Sequence, residues 1–309
     1  MAIVLISASQ DIAAWRESFD ALLPGIELRS WPDIGEPADI EMAIVWKAPE
    51  GALQGLVNLR LICSLGQGVD HLFRFDDLPP GVPIVRLVDD AMRRQMTVYV
   101  IAAVTRRLCR MAEYESGQAA REWRPLAAYD PSATTVGVLG LGALGRDVAE
   151  TLSGLGFAVR GWSRNPAFIP GVECFNAKVN FAEMLGPCHM VCCLLALTSE
   201  TRGILDAAAF AAMKPGGYVI NSARGGHLVE ADLLAALETG QLDGATLDVF
   251  EEEPLATDSP LWDHPKVTVT PHVSAVTLVN SCAEQVAENY KRMKAGHPLL
   301  NAVDPDREY

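Results

Sequence analysis

Short runs of apolar residues alternate along the first part of the chain with segments in which apolar residues recur at helical spacing. Four apolar runs cover residues 2–7, 43–46, 61–66 and 83–88, and residues 12–23 have helical spacing. Strands that are apolar on both faces are typical of parallel sheets that helices cover on both sides. The pattern therefore predicts a doubly wound α/β fold for this part of the chain.

A second series of the same kind follows a long helical pattern that covers about residues 91–116. The strands predicted in this series are residues 134–140, 157–162, 189–196, 217–223, 244–250 and 266–270. The helices predicted in it are residues 143–155, 230–238 and 281–294. The chain of 309 residues exceeds the size at which a single core usually stops growing. We therefore expect two doubly wound parallel-sheet domains rather than one large sheet.

Composition places the chain among ordinary globular proteins, since half of its residues are hydrophobic and 21% are charged. The formal net charge of −14 disfavours nonspecific binding to nucleic acids or to anionic membranes. The apolar N-terminal stretch is short and rich in β-branched residues, which predicts a buried strand rather than a signal peptide. We therefore expect a protein that binds neither nucleic acid nor membrane.

Three of the seven cysteines lie close together in the apolar segment HMVCCLLAL, as Cys188, Cys192 and Cys193. Metal binding is one interpretation of such a group. In an apolar strand, however, cysteine usually acts as a small hydrophobic residue, which favours a structural role and no metal site. Free thiols of this kind indicate a reducing, cytoplasmic compartment.

The glycines Gly140, Gly142 and Gly145 form a G-x-G-x-x-G motif between a predicted strand and a predicted helix. In dinucleotide-binding folds the first glycine permits a tight turn and the second lets the backbone approach the pyrophosphate. The third lets the helix pack closely on the sheet. The motif therefore predicts a dinucleotide site, and the alternative is a glycine-rich turn that binds nothing.

The end of the next predicted strand indicates which dinucleotide is bound. An NAD site normally has an acidic residue there for the ribose hydroxyls, whereas this chain has Trp162, Ser163 and Arg164. The nearest acidic residue downstream is Glu173. A hydroxyl and a guanidinium can bind a 2′-phosphate, so we expect NADPH as cofactor and NADH as a weaker one. The alternative is that Arg164 points into solvent and both cofactors are used.

Three further segments place polar side chains directly after predicted strands. In open α/β sheets, ligands bind at the edge formed by the carboxyl ends of the strands. NSARGG contains Arg224, LDVFEEEP contains Asp248 and Glu253, and VTPHVSA contains His272. An arginine can bind a carboxylate and polarise a carbonyl group, and a histidine oriented by a carboxylate is a suitable proton donor. Each residue alone also has a structural explanation, as a surface ion pair or a turn residue.

Five ordered segments, VGVLGLGALG, LLALTSETRGIL, MKPGGYVINSARGG, GATLDVFEEEPL and VTPHVSA, give the chain a specific resemblance. Over essentially its full length the chain resembles the D-isomer-specific 2-hydroxyacid dehydrogenase family. The resemblance implies that Arg224, Glu253 and His272 are the catalytic residues and that Asp248 lies near the nicotinamide carboxamide.

The resemblance also implies a domain arrangement and further cofactor contacts. A Rossmann-type nucleotide domain of residues 99–274 would be inserted in a flavodoxin-like substrate domain of residues 1–98 and 275–309. In addition to the glycine motif, Ser163, Arg164 and Asp248, the cofactor contacts expected from the resemblance are Ala143, Leu144, Leu195 and Ala223.

Within this family the chain is most similar to the glyoxylate/hydroxypyruvate reductase A subgroup. The segments that show this similarity are WKAP, LGQGVDHL, the WSR strand end and the C-terminal VDPDREY. The similarity implies that Trp46, Gln67 and Gly68 bind substrate together with Arg224 and His272. It also implies a homodimer in which the RPLAAYD segment lies near the partner.

Two positions depart from the family pattern. Ala196 replaces a proline that the family usually has, which questions any cofactor role for Thr198. Val98 stands where an acidic residue is common, and the sequence offers no physical reason for it.

Taken together, the resemblance implies the reduction of small 2-oxo acids such as glyoxylate and hydroxypyruvate, with His272 as general acid. One alternative is a nicotinamide-sensing binding protein of the same fold, similar to the co-repressors of this superfamily. A methyltransferase that uses the glycine loop is a weaker alternative, because it leaves the order of Arg224, Glu253 and His272 unexplained.

Overall fold

The computed structural model describes residues 1–74 and 78–304, and the chain in it forms two compact units. Unit 1 comprises Met1–Met92 together with the segment that begins at Thr277, and unit 2 comprises Arg93–Val276. The sequence predicts boundaries after residues 98 and 274, whereas the two units are divided after Met92 and after Val276. Residues 305–309 of the C-terminal VDPDREY segment lie outside the described residues.

Within the described residues, both units are built on parallel strands. In chain order the strands are β1 (Ala2–Ile6), β2 (Glu27–Ser30), β3 (Ile40–Val45), β4 (Leu61–Ser64), β5 (Ile84–Arg86), β6 (Thr135–Leu139), β7 (Ala158–Ser163), β8 (Val172–Asn176), β9 (Met190–Cys193), β10 (Gly217–Asn221), β11 (Leu242–Leu247) and β12 (Val267–Val269). Every residue of β1, β9 and β10 is buried, as expected for strands covered on both sides.

The order of the strands identifies both sheets. The five-stranded sheet of unit 1 has the order β2-β1-β3-β4-β5, which is the flavodoxin-like arrangement. The seven-stranded sheet of unit 2 has the order β12-β11-β10-β9-β6-β7-β8, which is the Rossmann arrangement with one further strand. The predicted fold class, two doubly wound parallel-sheet domains, is therefore confirmed.

Helices connect the strands in both units. They are α1 (Ile12–Leu22), α2 (Asp90–Leu108), α3 (Met111–Ala120), α4 (Ala143–Gly154), α5 (Phe181–Leu185), α6 (Ala207–Ala212), α7 (Glu230–Thr239) and α8 (Val279–Ala295). In unit 1, Trp15 and Phe19 of α1 and Val286 and Tyr290 of α8 pack in one core cluster with residues of β1 and β4. No helix within the described ranges combines the length and the hydropathy that crossing a membrane requires.

The single long helix predicted over residues 91–116 is wrong, because the structure has two helices there. Between α2 and α3, Arg110 adopts a left-handed backbone conformation with φ 56°. Its side chain donates a hydrogen bond of 3.0 Å to Glu113 in the first turn of α3. An arginine in this conformation is uncommon, so the composition of the segment did not indicate the break.

Two strands of the structure, β2 and β8, were not predicted from the sequence. Their sequences, ELRS and VECFN, mix polar and apolar residues, and each strand contains one buried position. Each is an edge strand of its sheet, with a neighbouring strand on one side only. The criterion of a continuous apolar run selects buried strands and therefore missed them.

The cysteines of the β9 region are core residues, as predicted. Cys188, Cys192 and Cys193 have no exposed surface. Burial raises the pKa of the Cys188 and Cys193 thiols to about 12, because a thiolate is poorly solvated in an apolar core. Among residues 1–74 and 78–304, no group of three histidine, cysteine or acidic side chains is placed to hold a metal ion.

Candidate active site

Three neighbouring strands of the unit 2 sheet, β10, β11 and β12, end at the same edge because they are parallel. Arg224 follows β10, Asp248 and Glu253 follow β11, and His272 follows β12. The segment after β11 is joined to the end of β10, since the Asp248 amide donates to the Asn221 carbonyl at 3.0 Å. The structure therefore brings the predicted polar residues to one edge of one sheet.

His272 and Glu253 are in direct contact. The distance from His272 Nδ1 to Glu253 Oε2 is 2.8 Å, and the side chains are 21% and 19% exposed. The second oxygen of Glu253 accepts a hydrogen bond of 3.2 Å from the Phe250 amide. Because a carboxylate only accepts, Nδ1 carries the hydrogen of this bond, and Nε2 is the nitrogen that can exchange a proton.

The loop that holds His272 is fixed by Asp248, whose side chain is fully buried. The Asp248 carboxylate accepts hydrogen bonds of 2.8 Å from each of the Val273 and Ser274 amides. The His272 amide donates to the Asp248 carbonyl oxygen at 2.8 Å. Asp248 thus holds the His272 loop by direct hydrogen bonds. The contact with the nicotinamide carboxamide that the family resemblance implies stays a prediction.

Arg224 is positioned through its main chain by two residues that the sequence reasoning did not select. The Arg224 amide donates to Nδ1 of the fully buried His227 at 3.2 Å, and Asn221 Nδ2 donates to the Arg224 carbonyl at 2.9 Å. A Cβ atom at Gly225 would collide with the Phe250 backbone, so only glycine permits this approach. The sequence shows a histidine three residues after Arg224. It does not show that this histidine is buried or that it binds the Arg224 main chain.

The glycine motif of unit 2 has the shape that a dinucleotide requires. Gly140, with φ 99°, donates its amide to the Trp162 carbonyl at 2.8 Å, and a Cβ atom at Gly145 would collide with the Gly140 carbonyl. Gly142 precedes α4 and no side chain of the described residues caps this helix. A Cβ atom at Gly142 would meet open space. The first amides of α4 therefore remain available for an anion such as a pyrophosphate.

Other predicted cofactor residues lie around this motif. Ala143 is the first residue of α4, and Leu144 packs partly against the core on that side of the sheet. Leu195 follows β9 beside Gly140 and is partly buried, while Ala223 is buried after β10. The residues present fit a nicotinamide dinucleotide along the edge of the sheet.

The end of β7 contains an ion pair that the sequence did not indicate. Arg164 Nη2 donates to Glu200 Oε2 at 2.8 Å, and both side chains are more than one third exposed. The Ser163 hydroxyl donates to the Asn165 carbonyl at 2.7 Å. Glu173, the acidic residue considered from the sequence, instead pairs with Arg160 at 2.8 Å. Arg164 therefore already has an anionic partner, Glu200, from a distant segment.

The LTSET turn is closed by its own side chains. The Thr201 hydroxyl donates to the Ala196 carbonyl at 2.7 Å and accepts the Thr198 amide at 2.9 Å. Thr198 is buried, and its hydroxyl lies 3.2 Å from that of Thr201. The turn is therefore ordered without the proline usual in the family, and Thr198 is engaged within it.

The substrate residues predicted in unit 1 lie after β3 and β4. The Trp46 ring packs edge-on against His71, with ring centroids 4.9 Å apart. Gln67 has a buried side-chain amide nitrogen, Nε2, without a hydrogen-bond partner among the described residues. Gly68 follows it and is half-buried. An unpartnered buried donor is costly, which makes Gln67 a candidate for binding a polar ligand.

Comparison with known proteins agrees with this geometry. The family model described as "D-isomer specific 2-hydroxyacid dehydrogenase, NAD binding domain" matches residues 98–274. The glyoxylate/hydroxypyruvate reductase A of Serratia proteamaculans is 43% identical over 296 residues, which cover 94% of each chain. That of Yersinia enterocolitica is 41% identical over 300 residues, which cover 96% of each chain.

Solved structures are similar over the whole chain. A D-isomer specific 2-hydroxyacid dehydrogenase from Xanthobacter autotrophicus, in complex with NADPH and MES, has a TM-score of 0.94 and 40% identity, covering 100% of this chain and 99% of that one. An NADPH-dependent glyoxylate/hydroxypyruvate reductase from Sinorhizobium meliloti, in complex with NADP and sulfate, has a TM-score of 0.93 and 36% identity, covering 100% of both chains. The chain therefore belongs to the D-isomer specific 2-hydroxyacid dehydrogenase family.

Proposed function

We propose that the protein reduces small 2-oxo acids, such as glyoxylate and hydroxypyruvate, to 2-hydroxy acids. NADPH, when bound at the glycine motif, supplies the hydride that adds to C2 of the substrate. Arg224 binds the substrate oxygens, and its cation favours the negative charge that develops on the carbonyl oxygen. His272 donates the proton of Nε2 to that oxygen, and Glu253 stabilises the imidazolium before the transfer.

The hydrogen bond between His272 and Glu253 is the observation that carries this proposal. A protein that only senses the nicotinamide pool needs the glycine motif but has no use for a proton donor oriented by a carboxylate. The relatives named as reductases support the same conclusion. For substrate binding we also propose Trp46, Gln67 and Gly68, of which Gln67 has the unpartnered buried donor.

The test is NADPH oxidation by the purified protein with a panel of 2-oxo acids that includes glyoxylate and hydroxypyruvate. We expect turnover with the small members of the panel. Binding of NADPH, measured by fluorescence, serves as the control for a correctly folded cofactor site. NADPH binding without oxidation by any 2-oxo acid would instead support the sensing protein.

NADPH is proposed as the preferred cofactor because Arg164 and Ser163 stand where an NAD site has a carboxylate. We expect Arg164→Ala to lower kcat/KM for NADPH about tenfold and to change kcat/KM for NADH little, since one charge-assisted contact is worth roughly 1.5–3 kcal/mol. Arg164 must exchange its 2.8 Å contact with Glu200 for the 2′-phosphate, which places the effect near the lower end of this range.

The measurement is steady-state kinetics with both cofactors on the wild type and the variant. Arg292 is a matched control, since it also forms an exposed ion pair, at 2.7 Å with Glu288 on α8. Arg292→Ala should leave the cofactor ratio unchanged. Equal use of NADH and NADPH by the wild type would contradict the preference.

We further propose that the protein is a homodimer. Large apolar side chains are exposed on α2, on α3 and on the loop after α3, namely Val98, Met111, Tyr114, Trp123 and Tyr129. Trp123 is 98% exposed and Val98 is 69% exposed, and exposed apolar groups of this kind mark interaction surfaces. The RPLAAYD segment lies within this loop. Val98, unexplained from the sequence, would then contact a partner.

Light scattering should give twice the chain mass of 33.3 kDa at micromolar concentration. Trp123→Ser should shift the equilibrium towards the monomer, whereas Phe168→Ser, at another exposed aromatic residue of unit 2, should not. A wild-type protein that stays at the monomer mass would refute the dimer. The cytoplasmic localisation remains a proposal, which fractionation of the source cell would test.

A further inference from the structure

A chain of hydrogen bonds connects helix α2 to the loop that holds His272. The Tyr99 and Thr270 hydroxyl oxygens are 2.6 Å apart, and Thr270 Oγ1 lies 2.6 Å from Asp248 Oδ1. Because the carboxylate can only accept, the Thr270 hydroxyl donates to Asp248, and the Tyr99 hydroxyl therefore donates to Thr270. The direction of both bonds is thus fixed.

Burial keeps the Tyr99 hydroxyl, at the outer end of these hydrogen bonds, protonated. Burial raises the pKa of Tyr99 to about 12, although its hydrogen bond to Thr270 acts in the opposite direction. The Tyr99 hydroxyl therefore keeps its proton over the range in which enzymes are assayed. The Tyr99 hydroxyl can therefore donate to Thr270 throughout that range.

Thr270 supplies one of three hydrogen bonds that the Asp248 carboxylate accepts. The other two come from the Val273 and Ser274 amides, on the far side of His272. The side chain of Asp248 is thereby held at a fixed orientation between the two ends of the loop, with Thr270 at one end and residues 273 and 274 at the other. Loss of the Thr270 bond would leave the carboxylate held only by the Val273 and Ser274 amides, on one side of His272.

The backbone of His272 needs such support. Its φ is 55°, in the left-handed region that residues with a side chain seldom adopt. The conformation persists only if the surrounding structure holds it. It also determines where the imidazole points, and therefore whether Nδ1 reaches Glu253.

We propose that Thr270 and Tyr99 are positioning residues for the reaction, which act through Asp248 to hold the proton donor in place. The inference rests on the proposed function, since it takes His272 to be the general acid. In this role neither residue contacts the substrate or the cofactor. Thr270 has the larger role because it touches Asp248, and Tyr99 orders the Thr270 hydroxyl.

The test compares Thr270→Val, Thr270→Ser and Tyr99→Phe. Valine has nearly the shape of threonine but neither donates nor accepts, whereas serine keeps the hydroxyl. We expect Thr270→Val to lower kcat about tenfold at an unchanged Kd for NADPH, because a bond to a charged group is lost. Thr270→Ser should recover kcat to within about twofold of the wild type, and Tyr99→Phe should lower kcat about threefold.

The chain offers a matched control in the same sheet. The Tyr218 and Thr246 hydroxyls form a second buried tyrosine–threonine pair, at 2.8 Å, on β10 and β11. Within the described residues, neither hydroxyl forms a hydrogen bond to the loop that holds His272. Thr246→Val removes the same kind of bond and should reduce thermal stability by a similar amount at an unchanged kcat.

Five outcomes would overturn the proposal. Wild-type kcat in Thr270→Val, while His272→Ala is inactive, would refute the positioning role and leave the proposed function intact. Equal kcat losses in Thr270→Val and Thr246→Val, or no recovery in Thr270→Ser, would show a general structural effect. Wild-type turnover in His272→Ala would refute the proposed function and this inference with it. If Thr270→Val does not fold, a wild-type kcat in Tyr99→Phe decides against the proposal.

Discussion

His272→Ala is expected to lower kcat by at least about a hundredfold, the usual scale for a positioned proton donor. Hydride addition to C2 places a negative charge on the substrate oxygen, and the variant has no group to protonate it. Arg224 would still bind the substrate, so KM should change much less than kcat. Glu253→Gln should lie between the wild type and His272→Ala, because its amide oxygen can still accept from Nδ1 while the charge is lost.

Steady-state kinetics and NADPH titration on the same protein samples check this result. His297, an exposed histidine of unit 1, supplies the control, and His297→Ala should behave as the wild type. Turnover in His272→Ala close to that of the wild type would remove His272 from the mechanism. A parallel loss of NADPH binding would instead indicate that the variant is misfolded at the sheet edge.

Arg224→Lys is expected to raise KM and lower kcat together, with a fall in kcat/KM of about a hundredfold or more. Lysine keeps the positive charge but cannot present two parallel N–H groups to a pair of oxygens, and each charge-assisted bond contributes roughly 1.5–3 kcal/mol. The main chain at this position is held by His227 and Asn221, so the substitution changes the side chain and not its anchor.

The experiment measures kcat and KM for hydroxypyruvate and Kd for NADPH. Arg106, which forms an exposed ion pair with Glu115, provides a conservative control in Arg106→Lys. An effect of Arg224→Lys that is confined to NADPH affinity would contradict a role in substrate binding. A fall in kcat at an unchanged KM would restrict that role to the transition state.

The fold was predictable because each buried strand leaves a local signature in the sequence. β6, β9 and β10 are apolar on both faces, and their runs were recognised within a few residues. β2 and β8 have no such signature, since polar residues interrupt them. The end of α2 also lacks one, because the left-handed conformation of Arg110 depends on its surroundings.

The candidate site was predictable only where function imposes a local pattern. The glycine motif and the residues after β10, β11 and β12 were found because each belongs to a short segment of characteristic composition. The partners of these residues are distant in sequence: Tyr99 lies 171 residues from Thr270, and Arg164 lies 36 residues from Glu200. Such pairs leave no trace at either position, since tyrosine on a helix or glutamate in a loop is ordinary.

The close approach of Gly145 to the Gly140 carbonyl is a constraint that no second substitution can relieve. Most packing defects can be compensated, because a neighbouring side chain can shrink or turn aside. Here a side chain at position 145 would strike the main chain itself, and no substitution of a neighbour can remove a carbonyl oxygen. The turn can therefore accept many different side chains around it, but position 145 must be a glycine for helix α4 to begin where it does.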